Sequence, residues 1–462
     1  SIRVGNAAGF WGDSPAAPKD LVSSGNLDYL TLEYLAELTL SILAHQKKKD
    51  PSKGYVTEVP CVVESIQQEF RENGSLRLVT NGGGMNPTAC AEQVARVLEH
   101  ASDPEMAELG IGVASGDDIF PRLNELIDAG ETLANMETGD AISTIRNRIA
   151  SANVYLGAAG ITNCLEQGAR IVLTGRVADA SLVLGPVQFE HGWSDDDFEK
   201  LAMATVAGHL IECGAQVTGG IVSRWTPDLQ LGDVGYPIAV IDPSGRGKIT
   251  KVPGSGGVVS TRTCAEQLVY EIGDPQNYMT PDVIADFSQV RFFQDDPDVV
   301  SFEGGTGHQR PEKLKVSIAY YDGFFASGMI VVAGRRAVEK ARCAGEMIRQ
   351  RLARDGIVLD QFHYEVLGSG DSAMGCLPVQ FENVEADPWE VVLRVSGRSS
   401  HRHHTDRMLR ELAPLVTSGP PGVTGYTGAR GQSRPVLSFW PALISREHCQ
   451  ISSLVKAAKD WI

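Results

Sequence analysis

Two short stretches concentrate the side chains able to do chemistry. In Thr174-Gly-Arg-Val-Ala-Asp-Ala-Ser181 a glycine turn brings Arg176, Asp179 and Ser181 close together behind an apolar run. An arginine so placed holds a carboxylate or phosphate through paired N–H bonds, with Asp179 orienting it or taking a proton. The plainer alternative is that Arg176 and Asp179 pair only to close the turn. The second stretch is Ala207-Gly-His-Leu-Ile-Glu-Cys-Gly214. On a helix, Thr205, His209 and Glu212 share one face. His209 and Glu212 then read as a base and its orienting carboxylate, or equally as a satisfied buried pair. His-x-x-Glu offers two metal ligands and lacks the second histidine of a zincin helix, so no metal is expected. Cys213 is a candidate nucleophile beside His209, although an unpaired cysteine in an apolar helix more often packs inertly.

Glycine loops supply the other candidates. Asn81-Gly-Gly-Gly-Met-Asn-Pro87, Gly157-Ala-Ala-Gly160 and Gly254-Ser-Gly-Gly257 each open a helix, where free N–H groups bind anions. None ends in the Gly-Lys-Ser/Thr of a P-loop, and no Gly-x-Gly-x-x-Gly is followed by the acidic residue of a dinucleotide site. Asn6, Asp13, Asn81, Gly83, Asn86, Ser181 and Gly256 are therefore candidate substrate contacts, and Phe10 and Trp11 a candidate apolar wall. A proline–glycine loop, Gly419-Pro-Pro-Gly-Val-Thr-Gly-Tyr426, adds Tyr426, with Arg430 nearby. His401-Arg-His-His404 reads as a solvated helix end.

The elements that must position these residues follow one pattern. Strand-like runs at 2–4, 76–80, 109–114, 154–156 and 170–174 each lead through a glycine-rich or Asn/Asp-rich loop into a helix. That order implies βαβ crossovers, hence an α/β fold with a mostly parallel sheet and helices on both faces. All five loops then leave the same sheet edge, where ligands bind. Leu27, Leu30, Tyr34, Leu38 and Ile42 recur at helical spacing, so a first helix is expected there, capped by Asn26 and ending at Lys47-Lys48-Lys49. Residues 237–252 read as a hairpin. Beyond Met329 the order strand, helix, strand, strand, helix, strand is the split-βαβ, ferredoxin-like pattern. Two domains are expected: 1–310, an α/β domain carrying the glycine-loop cleft, and 311–462, a smaller α+β domain.

Bulk properties narrow the partners. The chain has 462 residues and a net charge of −17, which argues against nucleic acid or an anionic membrane surface as partner. No apolar run approaches the ~20 residues that span a bilayer, and no signal-peptide pattern opens the sequence. The 8 cysteines are scattered singly, as reduced thiols in a cytosol-like compartment are. A cytoplasmic protein that self-associates is the expectation.

Several blocks together resemble the acyclic terpene utilisation (AtuA-like) family: Gly5-Asn-Ala-Ala-Gly-Phe-Trp-Gly-Asp13, Thr80-Asn-Gly-Gly-Gly-Met-Asn-Pro87, 174–181, 207–220, Glu271-Ile-Gly-Asp-Pro275, 417–426 and Phe439-Trp-Pro-Ala-Leu443. The resemblance implies a branched or terpenoid-derived carboxylic acid or its coenzyme A thioester as substrate, so that coenzyme A enters, in the thioester case, as part of the substrate; no separate cofactor is expected. The chain lacks the further carboxyl-terminal domain of some members, which allows a small separate partner chain. With Arg176, Asp179, His209 and Glu212, general acid–base chemistry is expected, as hydration/dehydration or carbon–carbon cleavage. The alternatives are a hydrolase or acyl transferase using Cys213, and a non-catalytic subunit of an acyl-coenzyme A complex.

Overall fold

The computed structural model describes residues 1–101, 103–373, 388–426 and 431–462. The chain divides into two compact units, Ser1–Ala319 with Phe439–Ile462, and Tyr320–Ser438. The division expected from sequence, 310/311, assigned the closing residues to the second domain. They instead return to the first unit, where Ser452–Ala457 pairs antiparallel with a strand of its main sheet. Among the described residues no helix is long and apolar enough to cross a membrane.

The first unit is built on a mixed sheet. Its strands include β1 (Ile2–Asn6), β2 (Tyr29–Leu32), β3 (Arg77–Thr80) and β4 (Gly110–Ser115), whereas β5 (Ile149–Val154) lies off it and β6 (Ile171–Thr174) returns to it. Only the centre, ordered β1-β2-β3-β6-β4, is parallel. Both flanks are antiparallel. A hairpin of β7 (Pro237–Ile241) and β8 (Gly247–Lys251) docks on β1, continues through Val299–Glu303 to Arg291–Asp296, and Ser452–Ala457 covers the far side. "Mostly parallel" is thus corrected to a parallel centre, because a tight turn sends β8 straight back along β7 and such pairs are antiparallel. β5 pairs with the strand Lys313–Ala333, and beside it the Tyr155 N–H donates to Lys315 O, so the strand expected at 154–156 lies off this sheet and β2 stands in it instead.

β2 is the other correction. Tyr29, Leu30, Thr31 and Leu32 are all buried, the signature of a central strand covered on both faces. The apparent helical stripe through 27–42 is two elements in succession. The helix is Glu37–Lys49, which buries Leu40, Leu43 and Ala44 and leaves Leu38 68% exposed. Asn26 does not cap that helix. It closes the preceding helix, Ala17–Gly25, in a left-handed conformation, which asparagine tolerates.

The crossovers fix where a ligand would bind. Passing from β1 through β2 and β3 to β4, the connections carry Ala17–Gly25, Glu58–Ser65 and Pro87–Glu99, which pack on one another. The return from β4 to β6 carries Ala159–Glu166, which packs with Ser181–His191, and that helix packs in turn with Phe198–Ile211. Right-handed crossovers running in opposite directions put these two sets on opposite faces. The direction of winding therefore reverses between neighbours β3 and β6, and the crevice at their carboxyl ends is the switch point.

The second unit has its own core. Its sheet runs Gln361–Leu367, Glu390–Ser399, the 324–333 part of Lys313–Ala333, Val423–Tyr426, and helix Ala337–Arg354 buries Ala337, Ala341, Ala344, Ile348 and Leu352, one face at helical spacing.

Candidate active site

Each parallel strand ends in a buried polar residue. β1 ends in Asn6, β2 runs into Glu33, β3 into Asn81, β6 into Arg176 and β4 into Asp117, and all five are buried. Four of the five are linked to one another. The Glu33 carboxylate accepts at Oε1 from Asn81 Nδ2 and, at 3.1 Å, from the Leu35 N–H, and Arg176 Nη2 lies 4.0 Å from the same oxygen. The Arg176 backbone N–H donates to Asp117 Oδ2 at 2.9 Å, and Asn153 Nδ2 donates to it at 2.8 Å. Burial pushes Glu33 up to about 7 against the pull of Arg176 and its hydrogen bonds, and the nearby charge of Glu212 adds to the rise. Burial likewise pushes Asp117 up to about 6.

Arg176 is 1% exposed and its guanidinium is met by protein. Nε donates to Val177 O at 2.8 Å, Nη1 to Leu35 O, and Nη2 to Val177 O and the Asp179 carboxylate. Its face lies over the Tyr155 ring at 4.5 Å, and Lys315 approaches the same ring at 4.7 Å. The Tyr155 hydroxyl donates to Glu37 at 2.6 Å. The expected Arg176–Asp179 pair is present, with Asp179 the outward partner at 37% side-chain exposure.

His209 and Glu212 also meet, Nδ1 to Oε1 at 2.9 Å, both buried. Burial works against a charged His209, yet the Glu212 carboxylate beside it outweighs burial and the imidazole is raised. The His209 ring lies 5.6 Å from Tyr278 and 5.7 Å from Phe287. Cys213 follows directly, but burial and then Glu212 push its thiol up to about 12, which works against a nucleophilic thiolate. Because Glu212 acts on Glu33 and Arg176 on Tyr278, the two stretches picked out by sequence belong to one charged neighbourhood.

Most candidate substrate contacts are committed to the scaffold. Asn6 Nδ2 donates to Ala8 O, Ile211 O and Glu212 O, tying β1 to the end of the helix that bears His209. Asp13 accepts from the Gly9 N–H, the Ser14 N–H and Tyr236 OH. Asn81 Oδ1 accepts from the Tyr34 N–H. Asn86 caps Pro87–Glu99 and donates to Pro51 O and Lys53 O. Trp11 Nε1 donates to Glu58, while Phe10 is exposed. Gly83 packs so that a Cβ would fall 2.5 Å from Thr174 O, joining the β3 and β6 loops at the switch point. The Gly256 N–H bonds Asp233 O at 2.6 Å. Tyr426 ends the strand Val423–Tyr426 of the second unit, and Arg430 lies outside the described residues.

Two loops expected to receive external anions hold internal carboxylates instead. Asp282 accepts from the Ala158 N–H at 2.9 Å and Ser181 Oγ at 2.7 Å, and Asp117 sits on the β6 loop. A Cβ at Gly157 would meet Asp282 at 2.1 Å and one at Gly175 would meet Asp117 at 2.2 Å, so close approach is what glycine provides there. Sequence reasoning missed Glu33, Asp117, Tyr155 and Asp282. For Glu33 the signal was a carboxylate directly after the strand-forming run Tyr29-Leu-Thr-Leu32; for Asp282 there was none, because the pairing spans distant segments. Among the described residues no group of three or more His, Cys, Asp or Glu side chains is placed to hold a metal ion.

A comparison with known families covers these residues. The sequence profile described as acyclic terpene utilisation family protein AtuA matches residues 2–454, so the match runs through every loop of this edge. No curated protein and no solved structure matches the chain. The buried polar row, the His–Glu pair and the glycine loops that frame them all lie within the matched span, and the chain belongs to the acyclic terpene utilisation family, AtuA.

Proposed function

We propose that the chain is an enzyme acting on a branched or terpenoid-derived carboxylic acid, or its coenzyme A thioester, by general acid–base chemistry, either hydration/dehydration or carbon–carbon cleavage. The observation that carries this is the placement of Glu33, a carboxyl buried at the switch point with Arg176 Nη2 4.0 Å from its Oε1, where burial pushes it up to about 7. A group with that affinity gives up and regains a proton near neutral pH, as a general acid–base catalyst must. Glu33 or His209 moves the proton. Arg176 fixes Glu33 and supplies positive charge, and a substrate carboxylate reaches its Nη2 by displacing the outward Asp179. The family supports the substrate class.

The test is a panel of acyl thioesters and free branched acids incubated with the chain and read by mass spectrometry. On a verified substrate, Glu33→Gln is expected to lower turnover by about 100-fold or more, with the circular dichroism spectrum unchanged. Full turnover in Glu33→Gln, Arg176→Ala and His209→Ala alike would sink the reading. A chain that turns over nothing but co-purifies with a partner favours the non-catalytic alternative.

A further inference from the structure

The His209–Glu212 pair is closed on one side only. Nδ1 and Oε1 face each other at 2.9 Å. His209 Nε2 and Glu212 Oε2 are sealed from solvent and make no well-aligned hydrogen bond among the described residues, although the backbone carbonyls of Leu268 and Gln267 approach the imidazole closely enough to raise it. His209 is 1% and Glu212 9% exposed. Buried polar atoms left unpaired are costly and therefore rare. Two of them on one contacting pair of side chains mark a place for a ligand group.

The chemistry of that group follows from what the two atoms offer. With the imidazole neutral, Nδ1–H donates to Glu212, and Nε2 and Oε2 are both acceptors. With the imidazole charged, Nε2–H donates and Oε2 still accepts. An ammonium matches only the first state at Nε2, and a carbonyl or carboxylate only the second. A hydroxyl matches both, because one oxygen donates and accepts. The Tyr278 and Phe287 rings beside His209, themselves 4.9 Å apart, give the surroundings an apolar wall.

We infer that His209 and Glu212 form a hydroxyl-binding dyad, taking the O–H of a hydroxy acid or of a water molecule. The inference rests on reading this sheet edge as an active site, and it narrows the substrate class to acids whose hydroxyl is bound, gained or lost there. When the O–H proton passes to Nε2, the bonding pair stays on oxygen and Glu212 balances the imidazolium charge. The reverse transfer restores the O–H.

The experiment uses the full chain with nitrogen-15-labelled histidine and two probes, 3-hydroxy-3-methylbutanoate and its deoxy analogue 3-methylbutanoate. The Nε2 resonance of His209 is expected to shift to that of a hydrogen-bonded nitrogen with the hydroxy acid and not with the analogue. The hydroxy acid should also bind about tenfold or more tightly, an advantage lost in Glu212→Gln. An Nε2 already hydrogen-bonded in the free protein and unmoved by either probe supports the dyad, with water as the hydroxyl, when a water proton gives it a nuclear Overhauser contact. It overturns the dyad when none does, the bond then going to the Leu268 or Gln267 carbonyl. An Nε2 that stays unbonded throughout, or that responds alike to both acids, overturns it. Because the readout is a resonance, it fails or holds independently of turnover in Glu33→Gln, which tests the active-site reading itself.

Discussion

The sheet carries two arginine–tyrosine–carboxylate clusters, one at each edge. At the amino edge, Arg77 donates to the Tyr29 hydroxyl at 2.6 Å and to Glu190, and Tyr29 donates to Glu190 at 2.8 Å. At the carboxyl edge, Arg176 lies against Tyr155 with Asp179 and Glu33 on its Nη2. The residue types are the same. The charge count and burial are not. Arg77 meets one carboxylate with its side chain 24% exposed, so the pair is neutral and wet. Arg176 is sealed and meets two carboxylates, with Asp117 on its backbone N–H. Burial pushes Glu33 up against the pull of that one cation, so a proton is retained on Glu33 until near neutral pH. A carboxyl sealed from water beside a shared cation is what separates a candidate proton-transfer site from a structural ion pair.

The largest expected difference between the clusters is in stability. Arg176→Met strands Glu33 and Asp179 beside a neutral side chain, and breaking a buried pair in this way costs about 3–5 kcal/mol. Arg77→Met opens a partly exposed pair and should cost about 1 kcal/mol or less. Urea unfolding of both variants checks the contrast, and equal losses would dissolve it. Next in size is the pH dependence. Glu33 is raised from 4.5 to about 7 in the folded chain, so the native state binds the proton more tightly than the unfolded chain. Its contribution is fully present below about 4.5, the unfolded value, and is lost as pH rises through about 7. Subtracting the stability–pH curve of Glu33→Gln from that of wild type should therefore leave a component that falls across this window. A component that rises instead reverses the protonation argument. The smallest effect concerns Cys213. With its thiol pushed up to about 12, iodoacetamide at neutral pH should label the exposed Cys61 and Cys343 and leave Cys213 unmodified and turnover unchanged. Peptide mapping decides this, and early labelling at Cys213 revives the thiol alternative.

Legibility in sequence followed range. Strand-to-helix loops at 81–87, 115–118 and 174–181 were readable, because glycine and Asn/Asp punctuate a chain locally. So was the Arg176–Asp179 pair, three residues apart, and the His209–Glu212 pair, one helical turn apart. The docking of the 237–251 hairpin on β1 was not, nor the return of 452–457 to β4, since pairing partners hundreds of residues away leave no local mark. β2 was misread because four buried residues in a row carry no period, and neighbours on either side completed a false helical stripe.

By itself the sequence determined that the loops following the parallel strands share the carboxyl edge, since βαβ connectivity sends them to the same side whatever the strand order. It also determined the local pairs within one turn or loop. Only the tertiary structure decided what those residues meet. The strand order set Glu33 next to Arg176 and Asn81, let Glu212 act on Glu33 across the end of β1, and filled the Gly157 and Gly175 loops with Asp282 and Asp117. Protonation depends on burial and on every charge within a few ångströms, and those are properties of the assembled fold, not of any stretch of chain.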